Sequence, residues 1–358
     1  MALHSESVAV RVLSMNTIND FRQRLETFLA ENVQAPVHIH AARQLTGGAS
    51  RETWAIDVEI ENGPEAGQQA LVLRRDMGGT IHDEALSREQ EFRLIAAAHQ
   101  AGVLVPRPRW VCGDPAVLGS PFFLMDRLEG ESVGRRIVRE AALTEARRQL
   151  PRQMGEQLAR IHRIDPARQS LDFLSASDPG CSPAETALHR ATHQLERFGE
   201  PHPALELSLR WLRAYAPPCA KVVLVHGDFR VGNLMVGADG LRGVFDWEFA
   251  HLGDPAEDLA WPCVRSWRFG QDALRLGGVG RAEEFFEAYE QAGGPAIDHE
   301  AVQYWEILGN FRWAVGCISQ AYRHLSGQAP SIELASLGRR TAEMELELLD
   351  LIGQVLGP

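Results

Sequence analysis

The stretch His226-Gly227-Asp228-Phe229-Arg230-Val231-Gly232-Asn233, followed by Asp246-Trp247-Glu248, decides how this chain is read. A fixed His-Gly-Asp-x4-Asn string arises by chance in roughly one in a thousand chains of this size at average residue usage. Its layout is chemically coherent. The apolar run 222–225 reads as a short buried strand that delivers a loop, and the loop presents Asp228. Short strands around Met235 and Val244-Phe245 form a hairpin about the turn Ala238-Asp239-Gly240. Asn233 stands where the first hairpin strand begins and Asp246 where the second ends, so three oxygen-bearing side chains converge. Oxygen ligands of this kind suit magnesium, which takes one or two carboxylates plus substrate phosphates. Asp228 is left free to accept a proton from a hydroxyl.

Working outward, the first third is rich in strands and the remainder in helices. Residues 17–33 carry Phe21, Leu25, Phe28 and Leu29 at helical spacing. Residues 37–45, 52–60 and 69–74 read as strands, then 83–100 as a helix, then 109–113 and 121–126 as two more strands. Helices are expected over 143–163, 184–198, 282–291, 300–325 and 332–356. The change from strand to helix near 126–132 divides the chain into an N-terminal part, 1–126, and a C-terminal part, 127–358.

At 358 residues, 45% hydrophobic and 23% charged, the chain suits two lobes rather than one small core. Basic residues number 36 against 48 acidic, and the net charge of -12 argues against nucleic-acid or anionic-membrane partners. Lys221 is the single lysine, so anions are held by arginine or backbone N–H. Five scattered cysteines (Cys112, Cys181, Cys219, Cys263, Cys317) form no Cys-x-x-Cys pair, which predicts reduced thiols in a cytoplasm. The first twenty residues lack the basic start and apolar run of a signal peptide, and no segment approaches the ~20 apolar residues of a membrane span.

The loop and hairpin together resemble the catalytic and metal-binding segments of protein-kinase-like phosphotransferases. With His-Gly-Asp in place of His-Arg-Asp and Asp-Trp-Glu in place of Asp-Phe-Gly, they are similar to the aminoglycoside phosphotransferase and choline-kinase-like family. The string HGDFRVGNLMV…GVFDWEFAHLGDPAEDLAW is particularly similar to the branch that includes kinase domains fused to acyl-CoA dehydrogenases. The resemblance runs from about residue 37 to at least 325. It implies an α+β, bilobal protein-kinase-like fold, with a small antiparallel-sheet lobe that binds ATP and a larger helical lobe that carries the catalytic loop. It further implies that Asp228 is the catalytic base and that Asn233 and Asp246, with Glu248 as a further candidate, hold magnesium.

The same family places a nucleotide-phosphate loop at Leu45-Thr46-Gly47-Gly48-Ala49-Ser50-Arg51, where small residues let backbone N–H groups approach phosphate oxygens. Taken alone, Gly47-Gly48 also suits an ordinary hairpin turn. Leu71-Val72-Leu73-Arg74 stands where kinases carry Val-Ala-Ile-Lys, so Arg74 replaces the lysine and its partner carboxylate is expected at Glu91, with Glu89 second. Arg75, one residue along the strand, should point the other way. Phe122–Leu128 fits the hinge strand, with Met125 lining an adenine pocket and the backbone of Asp126 and Leu128 contacting the base. There is no Walker A sequence.

Asp254-Pro255-Ala256-Glu257 reads as a helix start in which Asp254 caps and Glu257 occupies the third position, with Asp258 positioned to brace the loop. His162 reads as a packed, hydrogen-bonded histidine. The expected function is ATP- and magnesium-dependent transfer of the γ-phosphoryl group to a hydroxylated small molecule, with no nucleic-acid or membrane partner. A nucleotide-binding module without turnover is the alternative suggested by Arg74 in the lysine position, and a metal-dependent phosphohydrolase is a third reading. Along residues 300–325, Trp305, Asn310, Arg312, Trp313 and Arg323 beside Glu306 suggest an acceptor lining of mixed apolar and basic character. That lining leaves an anionic metabolite open, provided a local arginine cluster attracts it.

Overall fold

A computed structural model of the chain describes residues 15–45, 51–76 and 86–357. The expected phosphate-loop residues Gly47, Gly48, Ala49 and Ser50 lie outside the described residues, and of Arg51 only the backbone is described. Two compact units result. One comprises the described residues up to His99 together with Pro106–Leu128, and the other Gln100–Val105 together with the chain from Glu129 onward.

The first unit contains helix α1 (Met15–Val33), strands β1 (Val37–Leu45), β2 (Arg51–Ile60) and β3 (Gly67–Asp76), helix α2 (Arg88–Gln100), strand β4 (Pro108–Cys112), a short turn of helix α3 (Pro115–Leu118) and strand β5 (Phe122–Asp126). The strands form one antiparallel sheet in the order β1-β2-β3-β5-β4. Period-two alternation sorts its side chains between two faces. Leu71 and Leu73 of β3, with Phe122 and Leu124 of β5, join Phe21, Leu25 and Leu29 of α1 in one apolar cluster. The register sets Arg74 opposite Phe123 and Val72 opposite Met125 on the other face. There Phe92 of α2 meets Phe123 edge-on at 6.1 Å. Burying each of these large side chains contributes about 1.5–3 kcal/mol, so α1 fixes which face of the sheet is left for α2 and the charged residues.

The second unit is mainly helical: α4 (Gly134–Arg139), α5 (Thr144–His162), α6 (Pro183–Glu196), α7 (Pro203–Ala214), α8 (Pro255–Ala260), α9 (Ala282–Gln291), α10 (His299–Leu325), α11 (Ile332–Gly338) and α12 (Thr341–Leu356). Two small antiparallel ladders interrupt the helices. Strand β6 (Val223–Val225) pairs with β9 (His251–Gly253), and β7 (Leu234–Gly237) forms a hairpin with β8 (Gly240–Val244).

Three differences from the sequence reading have local causes. The segment expected as one helix over 332–356 is two helices, broken between Gly338, which packs closely on Ala321 of α10, and Thr341. Helix α4 and strand β9 are too short to leave a periodic signal, and β9 shows itself only by pairing with β6. Helix α7 starts on Pro203 after the N-cap His202, which makes no side-chain capping hydrogen bond, so its start leaves no capping signature in the sequence. Among the described residues, no helix is long and apolar enough to cross a membrane.

Candidate active site

Asp228 leaves β6 on a backbone that only glycine accommodates one residue earlier. Gly227 has φ +79°, and a side chain there would collide with the carbonyl of Phe249. This is the physical reason for the glycine at this position. The loop is then suspended from a buried carboxylate: Asp258 of α8 accepts from the backbone N–H of His226 at 2.6 Å and of Gly227 at 2.9 Å. His162 of α5 faces the same Asp258 carboxylate at 3.2 Å, and the other nitrogen of its ring meets the Tyr289 hydroxyl at 2.7 Å. Burial pushes the Tyr289 phenol far above its ordinary range, so it stays protonated.

His226 links the two chemical segments. Its Nδ1 accepts from the Asp228 N–H at 3.2 Å while Nε2 donates to the Phe245 carbonyl at 2.9 Å, a pairing that fits the neutral ring. Complete burial, which outweighs the neighbouring carboxylates, holds its pKa below the usual histidine value. One residue beyond that carbonyl, Asp246 adopts the left-handed conformation (φ 63°, ψ 62°) before the turn Trp247–Phe249. A non-glycine residue held there is a strained feature of the kind that clusters at functional sites. The Phe245 N–H donates to the Asn233 carbonyl at 2.9 Å, so Asn233 and Asp246 flank the same end of the β7–β8 hairpin. Glu248 sits half-buried in the turn that follows.

The Asp228 carboxylate, expected to be free, is fully engaged. Oδ1 accepts from Arg230 Nε at 2.9 Å and Trp261 Nε1 at 2.6 Å, and Oδ2 from Asn233 Nδ2 at 2.6 Å. A carboxylate only 8% exposed requires such donors, because an unpaired buried charge is expensive. Arg230 also lies over the Trp267 ring, 4.5 Å from its centroid. Trp261 and Arg230 had no assigned role in the sequence; an indole N–H placed in a buried helix end, which must find an acceptor, was the signal that could have found Trp261.

Several residues read as acceptor lining are committed elsewhere. Glu306 is buried and held by Arg268 at 3.2 Å and by Arg275. Asn310 is buried and donates to the Glu306 carbonyl at 2.9 Å, and Trp305 is buried. Arg312 pairs with Glu257 at 2.5 Å and lies over Trp261, 5.4 Å from its ring centroid. Trp313 packs against the Trp261–Trp267 cluster, while Arg323 donates to Gln320 at 3.1 Å. Asp254 caps α8 by accepting from the Ala256 N–H at 2.9 Å, as its sequence implies. Glu257 does not close a capping box; it turns inward to His251 at 3.1 Å and to Arg312.

In the first unit, Arg74 Nη1 lies 3.0 Å from Glu91 Oε1, and Glu91 is also paired with Arg88. Arg88, 1% exposed, extends the chain of charges to Asp76 at 3.1 Å. Glu89, the second choice, is not the partner. Arg75 occupies the opposite face, bound to Glu52 at 2.5 Å and to the Leu118 carbonyl at 2.7 Å, with its guanidinium 5.3 Å from the Phe21 ring centroid. At the end of β5, Met125 is buried and the Asp126 N–H donates to the Arg107 carbonyl at 2.9 Å.

Comparison with known proteins bears on the family and the fold. Residues 41–304 match the model of the phosphotransferase enzyme family (APH). Acyl-CoA dehydrogenase family member 10 of Mus musculus is 32% identical over 295 residues, which cover 76% of this chain and 26% of that protein. The chain therefore matches about a quarter of that relative's length. A solved structure from Ralstonia eutropha, provisionally assigned as an aminoglycoside phosphotransferase, superposes with a TM-score of 0.72 at 22% identity, covering 92% of this chain and 97% of that one. Spectinomycin phosphotransferase, solved with ADP and spectinomycin, gives 0.58 at 16% identity over 90% of this chain and 97% of its own.

Proposed function

Because the chain belongs to the phosphotransferase enzyme family, we propose that it transfers the γ-phosphoryl group of ATP to a hydroxyl group of a small molecule. The observation that carries this reading is the Asp228 carboxylate, held by Arg230, Asn233 and Trp261 on a loop suspended from Asp258. A rigidly aimed carboxylate is what a hydroxyl acceptor needs. Asp228 takes the hydroxyl proton as the acceptor oxygen bonds to the γ-phosphorus, the bond from that phosphorus to the β,γ-bridging oxygen breaks, and ADP leaves. Arg230, at 24% side-chain exposure the most accessible of the three donors, is the one an incoming hydroxyl displaces.

Arg74, oriented by Glu91, supplies a guanidinium fork to the nucleotide phosphates in the role a lysine has elsewhere. Asp246 and the Asn233 amide oxygen are hard oxygen donors at one hairpin end, a set that fits magnesium and would hold it, with Glu248 in reserve. Among the described residues no group of three or more His, Cys, Asp or Glu side chains could hold a metal by itself. That accords with an ion whose remaining ligands are phosphate oxygens and water. When bound, the ion neutralises charge on the transferring phosphoryl group. That a relative was solved with ADP and a small-molecule acceptor together supports the same reading.

The test is a phosphorylation screen of hydroxylated metabolites with ATP, magnesium and mass detection. A product 80 Da heavier, formed by the wild type and not by Asp228→Asn, is expected, from the ~80 Da that replacing a proton by a phosphoryl group adds. Nucleotide binding without any phosphorylated product across the library would favour the module without turnover.

A further inference from the structure

The second unit contains a cavity of about 420 Å³ whose walls are dominated by arginine: Arg135 and Arg139 on α4, Arg265, and Arg340 at the start of α12. Its acidic members are Asp272 and Glu343, so the lining carries four positive against two negative charges in a chain whose net charge is -12. Like charges on one wall repel modestly, and an anion seated between them relieves that repulsion.

The arginines are not all neutralised within the fold. Arg265 pairs with Asp272 at 3.0 Å and Glu347 at 2.8 Å, and Arg340 with Glu343 at 3.3 Å. On α4, Arg136 takes the neighbouring acids, Glu131 at 3.0 Å and Glu140 at 2.5 Å. Arg139 donates to the Phe269 carbonyl at 2.8 Å, which neutralises no charge. Among the described residues no carboxylate lies within ion-pair distance of Arg135 or Arg139. Two guanidinium groups one helical turn apart thus face the cavity without a counter-ion.

The cavity floor is built rather than incidental. Phe269 is held at φ +49°, an unusual conformation for a bulky residue, and Arg139 grips its carbonyl. Its ring lies against Gly134, where an added Cβ would come within 2.7 Å of Phe269 and 3.3 Å of Gly232 in the catalytic loop. One wall of the cavity is therefore joined by direct packing to the turn that carries Asn233.

We propose that this cavity is a binding site for a phosphate-class dianion, held by Arg135 and Arg139 on one wall and Arg340 on the other. Planar guanidinium forks match phosphate oxygens two at a time, and the volume exceeds what one phosphate fills. The dianion belongs either to the acceptor molecule or to a free phosphate species. The binding claim stands independently of the phosphotransfer reading.

Pyrophosphate is the probe, titrated calorimetrically into the full chain at low salt. Wild type should bind it with an affinity that falls as salt rises. Arg135→Ala and Arg340→Ala should each weaken binding about tenfold, the usual loss for one charge-assisted contact, and Arg135→Glu should abolish it. Arg135 is exposed, so these variants are expected to fold, and unchanged melting curves check this. Arg74→Ala controls for pyrophosphate at a nucleotide site and should leave this binding intact. Equal affinity in wild type and the Arg135 variants, or a loss confined to Arg74→Ala, would overturn the site. With an acceptor in hand, competition by pyrophosphate and a raised KM in Arg135→Ala assign the dianion to the acceptor. Non-competitive binding assigns it to a free anion.

Discussion

Asp228 and Arg74 are the central charges of their respective units, yet they are held in opposite ways. Asp228 accepts from side chains two, five and thirty-three residues along the chain, and its loop hangs through Asp258 from α8, the helix whose end carries Trp261. Arg74 belongs instead to a row of alternating charges, Arg74–Glu91–Arg88–Asp76, confined to one strand and one helix. Convergent donors over-determine a geometry, so losing one leaves the carboxylate nearly where it was. A row depends on its middle member: without Glu91, Arg74 and Arg88 would lose the carboxylate they share, and like charges would be left side by side.

The largest effect tests the convergent side. Asp228→Asn keeps the shape and the contacts of one oxygen to Arg230 and Trp261, sets its amide nitrogen against Asn233 Nδ2 and removes the proton acceptor, so kcat should fall by roughly 10²–10⁴ with ATP affinity retained. Turnover near the wild-type rate would remove Asp228 from the chemistry. Next in size is Asp258→Asn. A fully buried carboxylate that serves two backbone N–H groups and His162 cannot be replaced by an amide without leaving a donor facing a donor, at a cost of about 3 kcal/mol. Denaturant unfolding should show this in the midpoint, with the m-value unchanged. If stability is untouched, the loop is supported by its other contacts and the suspension from Asp258 is incidental.

How much of each region was legible follows from the same contrast. Asp228, Asn233 and Asp246 stand in one short hairpin, so their spacing alone brings them together. Trp261, Asp258 and His162 reach the loop through tertiary packing, and only Asp258 sat close enough to a recognised helix start to be suspected. The five strands of the first unit were readable from alternation, and the opposite orientation of Arg74 and Arg75 followed from the pleat. Arg88 was not foreseen, because an arginine in the first turn of an amphipathic helix ordinarily faces solvent. Glu306 was misjudged for the converse reason: an acid on a long aromatic helix looked like site lining, but it is buried as the counter-charge of Arg268 and Arg275.

The row in the first unit is tested by a smaller effect. Arg74→Ala should weaken ATP binding at least about tenfold, the loss expected for one charge-assisted contact of ~1.5–3 kcal/mol. Arg74→Lys should recover part of it, since an ammonium keeps the charge and loses the fork. Arg75→Ala should leave ATP affinity unchanged, because its partners Glu52, Leu118 and Phe21 lie on the α1 face. The reverse pattern would mean that the nucleotide contacts the face the structure gives to α1. Thermal shift with ATP and magnesium reads all three variants.

The smallest effect probes a second convergent arrangement, the pair His251–Glu257 on the strand and helix that support the Asp228 loop. Burial alone would push the Glu257 carboxyl up, but the charges and hydrogen bonds of His251 and Arg312 outweigh it and hold the pKa down to about 2. Burial would likewise lower the His251 pKa, and there Glu257 and the Phe249 carbonyl outweigh it and raise it above 6.5. Both ring nitrogens then donate, to Glu257 at 3.1 Å and to the Phe249 carbonyl at 2.9 Å. The two shifts have opposite signs in pH. A raised histidine contributes stability that is fully present below its unfolded pKa near 6.5 and is lost as pH rises through the folded value; a depressed carboxyl contributes stability present above its unfolded pKa near 4.5 and lost as pH falls toward about 2. The pair is therefore worth most between about pH 4.5 and 6.5. His251→Gln should cost on the order of 1 kcal/mol at pH 6 and progressively less at higher pH. Arg312 still neutralises Glu257 in that variant, so acid unfolding should shift only slightly. A stability difference between His251→Gln and wild type that stays constant from pH 6 to 9 would show that His251 sits there uncharged, and that Arg312 alone sets the ionisation of Glu257.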